Sequence, residues 1–269
     1  MYLADYHVHS RVSPDGKASM LEMAAAAEAE GLDEICFTDH LETVIWRENK
    51  RPADFDWSVP EREYRETLEN WHGRTRLRLG LEVGGAPFNV PHAEALMAQA
   101  PQLDFVIGSI HMLTEAITDL DLAHFHPADE AEALRSMADY LELVRQTAVW
   151  GRFSVLGHLT LSLRYLNELQ GFQLSFDPFG AEIEEILRTV IQKGRGIELN
   201  TNRGNMPLPG AKWLRLYRSL GGEIITLGSD AHRPGDVGRS IREGQRLLRE
   251  CGFKRFCTFE KMEPIWHEL

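Results

Sequence analysis

A single α/β barrel of the TIM type is the architecture this sequence predicts, and three observations predict it. Short apolar runs alternate with helical patterns along the chain, which means parallel strands joined by helices. The 269 residues hold about seven or eight such units, which suits a closed barrel better than an open sheet. Many of the apolar runs end in a histidine or a carboxylate, and a barrel gathers its strand ends at one rim.

Residues 2–8 read as the first strand. An Ala-rich helix over 19–30 stops at Gly31, the residue type that most easily takes the left-handed turn ending a helix. A short strand at 34–37 precedes a polar helix over 60–72, with Pro60 near its start. Residues 76–83 alternate basic and apolar side chains, the pattern of a half-exposed strand. A helix over 89–100, a buried strand at 104–110 and the longest helix, 127–150, come next. Strand 154–157, helix 178–193, strand 196–200, helix 211–220, strand 223–228 and helix 236–251 continue the rhythm, with a last short strand at 256–258. Two segments interrupt it: 41–59, which carries Trp46 and Trp57, and the Asp-rich 112–126. Each follows a strand end, so both are expected to be rim insertions that cover the substrate. Internal repeats, low-complexity tracts and Gly/Ser linkers are lacking, so residues 1–269 are expected to form one domain.

Hydrophobic residues make up 43% of the chain, enough for a full core. The net charge is 29 minus 41, or −12, which disfavours long nucleic acid as a partner. A small phosphorylated substrate remains compatible, because bound dications reverse the local sign. Cys36, Cys251 and Cys257 match no zinc or disulfide spacing and read as free thiols of a reducing cytoplasm. An apolar leader and a stretch of the roughly 18–20 apolar residues that span a bilayer are both lacking, so no membrane partner is expected. A homo-oligomer is compatible with all of this.

The informative residues are His7 and His9, which share one face of a strand because residues i and i+2 point the same way. His-x-His alone is common, and His124/His126 in the acidic insert is read as a solvated loop with an accessory role as the alternative. What separates His7/His9 is company: Thr38-Asp39-His40, Glu82, His111, His158 and Asp230-Ala231-His232 also follow strand-like runs. Imidazole nitrogen and carboxylate oxygen without sulfur suit zinc, iron or manganese. Asp15 lies in the turn Ser13-Pro14-Asp15-Gly16 and can reach back to the same place as a further oxygen ligand. A multinuclear metal centre, and with it a hydrolase, is the expectation.

This set resembles the PHP (polymerase and histidinol phosphatase) superfamily of metal-dependent phosphoesterases. The motifs are His7-Val8-His9-Ser10, Thr38-Asp39-His40, Glu82, His111, Gly157-His158 and Ser229-Asp230-Ala231-His232, and they span nearly the whole chain. Gly108-Ser109-Ile110-His111, Glu198-Leu199-Asn200-Thr201 and the run from His232-Arg233-Pro234 to Asp236-Val237-Gly238 resemble its histidinol-phosphatase branch. The resemblance implies a distorted (β/α)7 barrel with two or three divalent metals at the rim. It implies one metal on His7, His9, Glu82 and Asp230, a second on Asp15, His40 and His232, and a third on Glu82, His111 and His158. Glu82 would then bridge two metals. Asp15 stands where many members carry histidine. Where the family often reads His-Leu-Asp-Leu followed by basic residues, this chain has His158-Leu159-Thr160-Leu161-Ser162-Leu163-Arg164, and Asn200-Thr201-Asn202-Arg203-Gly204 replaces the usual Asn-Thr-Ser-Gly.

The implied activity is hydrolysis of a phosphate monoester, L-histidinol phosphate in histidine biosynthesis, by a metal-activated hydroxide. Gly-x-Ser-x-Gly and Cys-x5-Arg signatures of a covalent intermediate are lacking. Arg164 is the expected phosphate clamp, since a guanidinium matches two phosphate oxygens at once; Arg203 and Asn200 are further phosphate-binding candidates. His232 is the candidate donor of a proton to the leaving alkoxide. Other substrates of the same chemistry are a nucleotide, a short oligonucleotide or phosphotyrosine, for which Arg203 and a Trp46/Trp57 loop would offer stacking. Two other classes stand further off. An amidohydrolase-like C–N hydrolase would usually add a strand-end lysine, and this chain has none. A non-enzymatic metal-binding protein would tolerate ligand loss, whereas each implied metal position here carries a ligand-type residue.

Overall fold

The alternation of strand and helix closes into a barrel. A computed structural model of the chain describes residues 1–45, 48 and 50–269. In chain order the elements are β1 (Ala4–Val8), α1 (Met20–Ala29), β2 (Glu34–Phe37), β3 (His40–Glu42), β4 (Val44–Ile45), β5 (Arg51–Pro52), α2 (Ser58–Asn70) and β6 (Arg76–Gly84). They continue with α3 (Val90–Met97), β7 (Phe105–Ser109), α4 (Glu130–Trp150), β8 (Val155–Leu156), α5 (Gly180–Gln192) and β9 (Gly196–Asn200). The last are α6 (Ala211–Ser219), β10 (Ile225–Gly228), α7 (Ile241–Glu250), β11 (Arg255–Glu260) and β12 (Glu263–Glu268).

Seven parallel strands run β1-β2-β6-β7-β8-β9-β10 around the barrel. β3 resumes the line of β2 and pairs parallel with β6, setting His40 opposite Glu82. Beyond the paired strands, β1 and β10 are joined by their extensions: Asp230 N donates to His7 O at 2.9 Å and His9 N donates to Ala231 O at 2.8 Å. This is the distorted (β/α)7 barrel expected from the motifs.

Helices pack on the barrel through apolar stripes of helical period. α4 buries Ala133, Met137, Tyr140, Leu141, Val144 and Ala148, spaced three and four apart. Met137, Leu141 and Val144 each contribute about 1.5–3 kcal/mol on leaving water, the alanines less. α1 starts with a capping box: Ser19 Oγ accepts from Glu22 N, and Glu22 Oε2 accepts from Ser19 N at 2.8 Å.

Three expectations need correction. β6 is not half-exposed; every residue after Arg76 is buried, because a barrel strand is covered by the interior on one side and helices on the other. Its Arg78 is accommodated by an ion pair with fully buried Glu34 at 3.1 Å and another with Glu260 at 2.9 Å. The chain end is not a further barrel strand: β11 pairs antiparallel with β12 as a separate hairpin. That hairpin underlies the amino-terminal strand ends, where Tyr6 Oη donates to Phe259 O and Met262 N donates to Asp104 O, both at 2.9 Å. Of the first rim insertion, Trp57 turns inward and donates from Nε1 to Leu96 O at 2.9 Å, so it offers no stacking surface. Trp46 lies outside the described residues.

Candidate metal centre

Parallel strands all end on the same side, so a residue placed just past each strand joins the others at one rim. His7 is within β1 and His9 follows it; His40 opens β3; Glu82 is within β6. His111 and His158 sit two residues past β7 and β8, and Asp230 and His232 two and four past β10. The structure brings all of them together, with Asp15.

Glu82 is the centre, only 1% exposed. Its Oε2 faces His40 Nδ1 at 3.0 Å, His7 Nε2 at 3.1 Å and His9 Nε2 at 3.4 Å. Its Oε1 faces His158 Nε2 at 2.9 Å and His111 Nε2 at 3.1 Å and accepts from Ser109 Oγ at 2.6 Å. The two oxygens of one carboxylate thus address two groups of imidazoles. Ligand-type atoms converge in the combinations His7/His9/Asp230, His7/Glu82/His158, His40/Glu82/His111 and His9/His40/His232. Asp15 Oδ2 approaches His232 Nε2 at 3.0 Å and His40 Nε2 at 3.8 Å. Its loop folds back so tightly that a Cβ on Gly16 would overlap the Ser10 carbonyl.

The donor set fits metal ions. His7 Nε2, His9 Nε2, His40 Nδ1 and Glu82 Oε2 are buried and find no hydrogen bond among the described residues. Buried polar atoms without partners are costly and rare, and four in one cluster call for cations between them. His111 Nε2 and His158 Nε2 point at each other across 3.4 Å, an approach that a shared cation accounts for. The chain therefore holds a divalent-metal site.

Electrostatics follow from this crowding. Burial disfavours the imidazolium of His7, but Glu198, Glu82 and Asp230 outweigh it and raise its pKa well above the usual histidine value. His9 goes the other way: burial, then His40 and His232, hold it well below that value, as a neutral ligand requires. Burial alone would raise Glu82, yet His7, His111 and His40 keep it well below the carboxylate range.

A ring of supporting groups orients the ligands. Glu198 Oε1 lies 2.7 Å from His7 Nδ1 and its Oε2 accepts from His158 N at 2.8 Å, so one carboxylate braces two ligand segments. Glu42 Oε1 lies 2.5 Å from His111 Nδ1. Asp39 is no ligand; it accepts from Ser10 N at 2.7 Å and Ser13 Oγ at 2.7 Å, pinning the loop that carries Asp15. The Glu198 and Glu42 roles were missed from sequence. Glu198 sits mid-strand in a barrel interior, and Glu42 stands at i+2 from His40, which are the signals that could have found them.

A cavity of about 720 Å³ opens over the metal ligands. Arg164 and Arg203 line it. Arg164 is buried rather than a surface residue, and its Nη2 pairs with Asp230 Oδ2 at 2.6 Å. Asn200 does not reach the cavity wall; it is fully buried, donating from Nδ2 to Glu198 Oε2 at 3.2 Å and accepting from Arg164 Nη2 at 3.4 Å. Both ring nitrogens of His232 are engaged, Nε2 by Asp15 and Nδ1 by its neighbour Asp230 O at 3.0 Å. The second insertion lies over the cavity: Leu122 and Phe125 anchor it, while Asp121, Ala123 and His124 line the wall. His126 is exposed outside it. Of the first insertion, only Glu42 reaches the wall among the described residues. Tyr165, Glu168 and Leu169, on a π-helical turn over Arg164–Leu169, were not anticipated.

Comparison with known proteins finds relatives along nearly the whole chain. The histidinol-phosphatase of Lactococcus lactis subsp. lactis is 28% identical over 266 residues, covering 96% of this chain and 95% of that protein. A "probable histidinol-phosphatase" of Thermotoga maritima is 28% identical over 94% of each chain. A "probable phosphatase" of Vibrio campbellii is 25% identical, covering 87% of this chain and 79% of that one. The crystal structure of histidinol phosphate phosphatase from Lactococcus lactis, complexed with zinc, L-histidinol and phosphate, superposes with a TM-score of 0.81 at 24% identity over 98% of both chains, which shows the same fold. The PHP domain profile matches residues 5–202, and the chain belongs to the PHP domain family.

Proposed function

We propose that this chain is a metal-dependent phosphomonoesterase that converts L-histidinol phosphate and water to L-histidinol and phosphate, a step of histidine biosynthesis in the cytoplasm. The observation that carries the chemistry is Glu82, whose two oxygens face two adjoining groups of imidazoles beneath an open cavity, the first group with buried nitrogens that find no hydrogen bond among the described residues. The substrate is supported by relatives that bear the histidinol-phosphatase name along nearly the full length of the chain. Residues 1–269 act as one unit in this reading.

Three metal positions suit the ligand sets: His7, His9, Glu82 and Asp230; Asp15, His40 and His232; and Glu82, His111 and His158. Zinc, manganese or iron would lower the pKa of water and offset charge on the phosphoryl oxygens there. The chain's own part is to hold and exclude. Arg164, fixed by Asp230, directs its guanidinium along the cavity wall toward the phosphoryl group, and Arg203 adds a second cation at that wall. Asn200 supports Arg164 from behind and does not itself touch phosphate. We assign His232 to metal holding and not to proton donation, since neither ring nitrogen is free.

Phosphate release from L-histidinol phosphate, beside AMP, phosphotyrosine and p-nitrophenyl phosphate, with manganese, iron(II) or zinc added, tests the proposal. A kcat/KM of about 10⁴ M⁻¹s⁻¹ or more for histidinol phosphate, well above the rest, is the expected result. Preference for another ester would keep the metal chemistry and overturn the substrate. Full activity after proven metal loss would overturn both.

A further inference from the structure

Six carboxylates line the cavity over the metal ligands: Asp15, Glu42, Glu82, Asp121, Glu168 and Asp230. Five already face a cationic or imidazole partner within the protein. Asp15 meets His232 at 3.0 Å, Glu42 meets His111 at 2.5 Å and Glu82 meets His158 at 2.9 Å. Asp121 meets His124 at 2.7 Å and Asp230 meets Arg164 at 2.6 Å. Glu168 differs. Among the described residues its carboxylate is held only by neutral amides, from Asn202 Nδ2 at 2.9 and 3.1 Å and Met206 N at 3.3 Å. Neutral donors fix its position and leave its charge uncompensated.

That position is tied to the phosphate side of the cavity. Fully buried Asn202 accepts from Arg164 Nε at 2.7 Å with the same amide group whose nitrogen holds Glu168. One side chain thus sets the spacing between a cation and an anion on the Arg164–Leu169 turn. Arg164 is buried against the metal ligand Asp230, whereas Glu168 is exposed at the mouth. Tyr165 and Leu169 line the wall beside them and give an apolar surface along the way. The wall is therefore polarised: positive where a phosphoryl group docks, negative where the rest of the ester emerges.

We propose that Glu168 selects the leaving group by receiving a protonated amine carried on the alcohol half of the phosphate monoester. This deepens the phosphatase reading and rests on it. A charge-assisted hydrogen bond at such a site corresponds to a change of about 10–100-fold in kcat/KM.

The test compares L-histidinol phosphate with its Nα-acetyl derivative, near neutral pH, on the metal-loaded wild type and on Glu168→Gln, which keeps an acceptor oxygen for Met206 N. Phosphoethanolamine and ethyl phosphate form a second pair that also differs by the amine. Wild type is expected to prefer the amine-bearing member of each pair. Glu168→Gln should lose that preference by about 10–100-fold, mainly through KM. Glu168→Lys should favour the ester without the amine, and Glu168→Asp should regain part of the preference. Equal losses on both members, or an unchanged preference, would overturn the inference, because a merely structural Glu168 predicts equal effects. If wild type ignores histidinol phosphate yet discriminates the second pair through Glu168, the substrate reading fails and the inference stands.

Discussion

Arg164 shows how far a residue's neighbours decide its role. As a phosphate clamp alone, its removal would raise KM and leave metal content intact. Its ion pair with Asp230 changes that expectation, because truncation leaves a buried ligand carboxylate short of its cation. Arg164→Ala should raise KM about 10-fold or more and also weaken metal affinity about 10–100-fold, the usual cost of losing a group that orients a ligand. Titration of metal into the apo protein, beside steady-state kinetics, separates the two effects, and an unchanged metal affinity would refute the coupling. Proton linkage is a second prediction at this scale. Burial disfavours charge on His40, but Glu82 and Asp15 raise its pKa to about 10. His7 and His111 are raised well above the ordinary value as well, with carboxylates overcoming burial. The raised pKa values favour the protonated form of these imidazoles in the metal-free protein, and a bound metal competes with that proton. Apparent metal affinity should therefore rise from neutral pH toward pH 10. Calorimetry in buffers of differing ionisation enthalpy should show net proton release, and proton uptake would contradict the assignment.

At the scale of the element, strand ends place the ligands and glycine makes room for them. Gly228 ends β10, and a Cβ there would lie 2.3 Å from Glu198 Oε1 and 2.3 Å from His7 Cβ. Gly228→Ala must push apart the pair that braces the first metal ligand. It should cost about 1–3 kcal/mol of stability and lower metal content, measurable by denaturant unfolding and metal analysis. Normal metal content in a folded variant would argue against the bracing role. The same scale explains what could be read from sequence. The convergence of these residues at one rim was legible because histidine and carboxylate after apolar runs carry both their chemistry and their place in a parallel barrel. Glu42, Glu168 and the bracing role of Glu198 were not, because each depends on a meeting between segments tens of residues apart. Arg78 misled for a related reason: alternation with apolar residues suggested exposure, while its partners Glu34 and Glu260 come from other strands. Trp57 likewise read as a loop aromatic and proved to be core.

For the whole molecule, the metal cluster and the fold share their parts. Chelation should lower Tm by on the order of 10 °C, since saturating ligand at roughly a thousand times its Kd contributes about 4 kcal/mol. Differential scanning calorimetry with and without a chelator checks this, and an unchanged Tm would separate metal binding from folding. No helix among the described residues is long and apolar enough to cross a membrane.

The seam between β1 and β10 has a consequence of its own. The backbone bonds that close the ring belong to His7, His9, Asp230 and Ala231, so the stitches are sewn through the ligand segments themselves. The last barrel strand, β10, arrives more than two hundred residues after the first, and until it docks, the proposed donors Asp230 and His232 are elsewhere. On the proposed ligand assignment, bound metal would act as a clasp whose presence records that the ring has shut. A chain cut short of residue 230 would keep most of its ligands in sequence and have nowhere to assemble them.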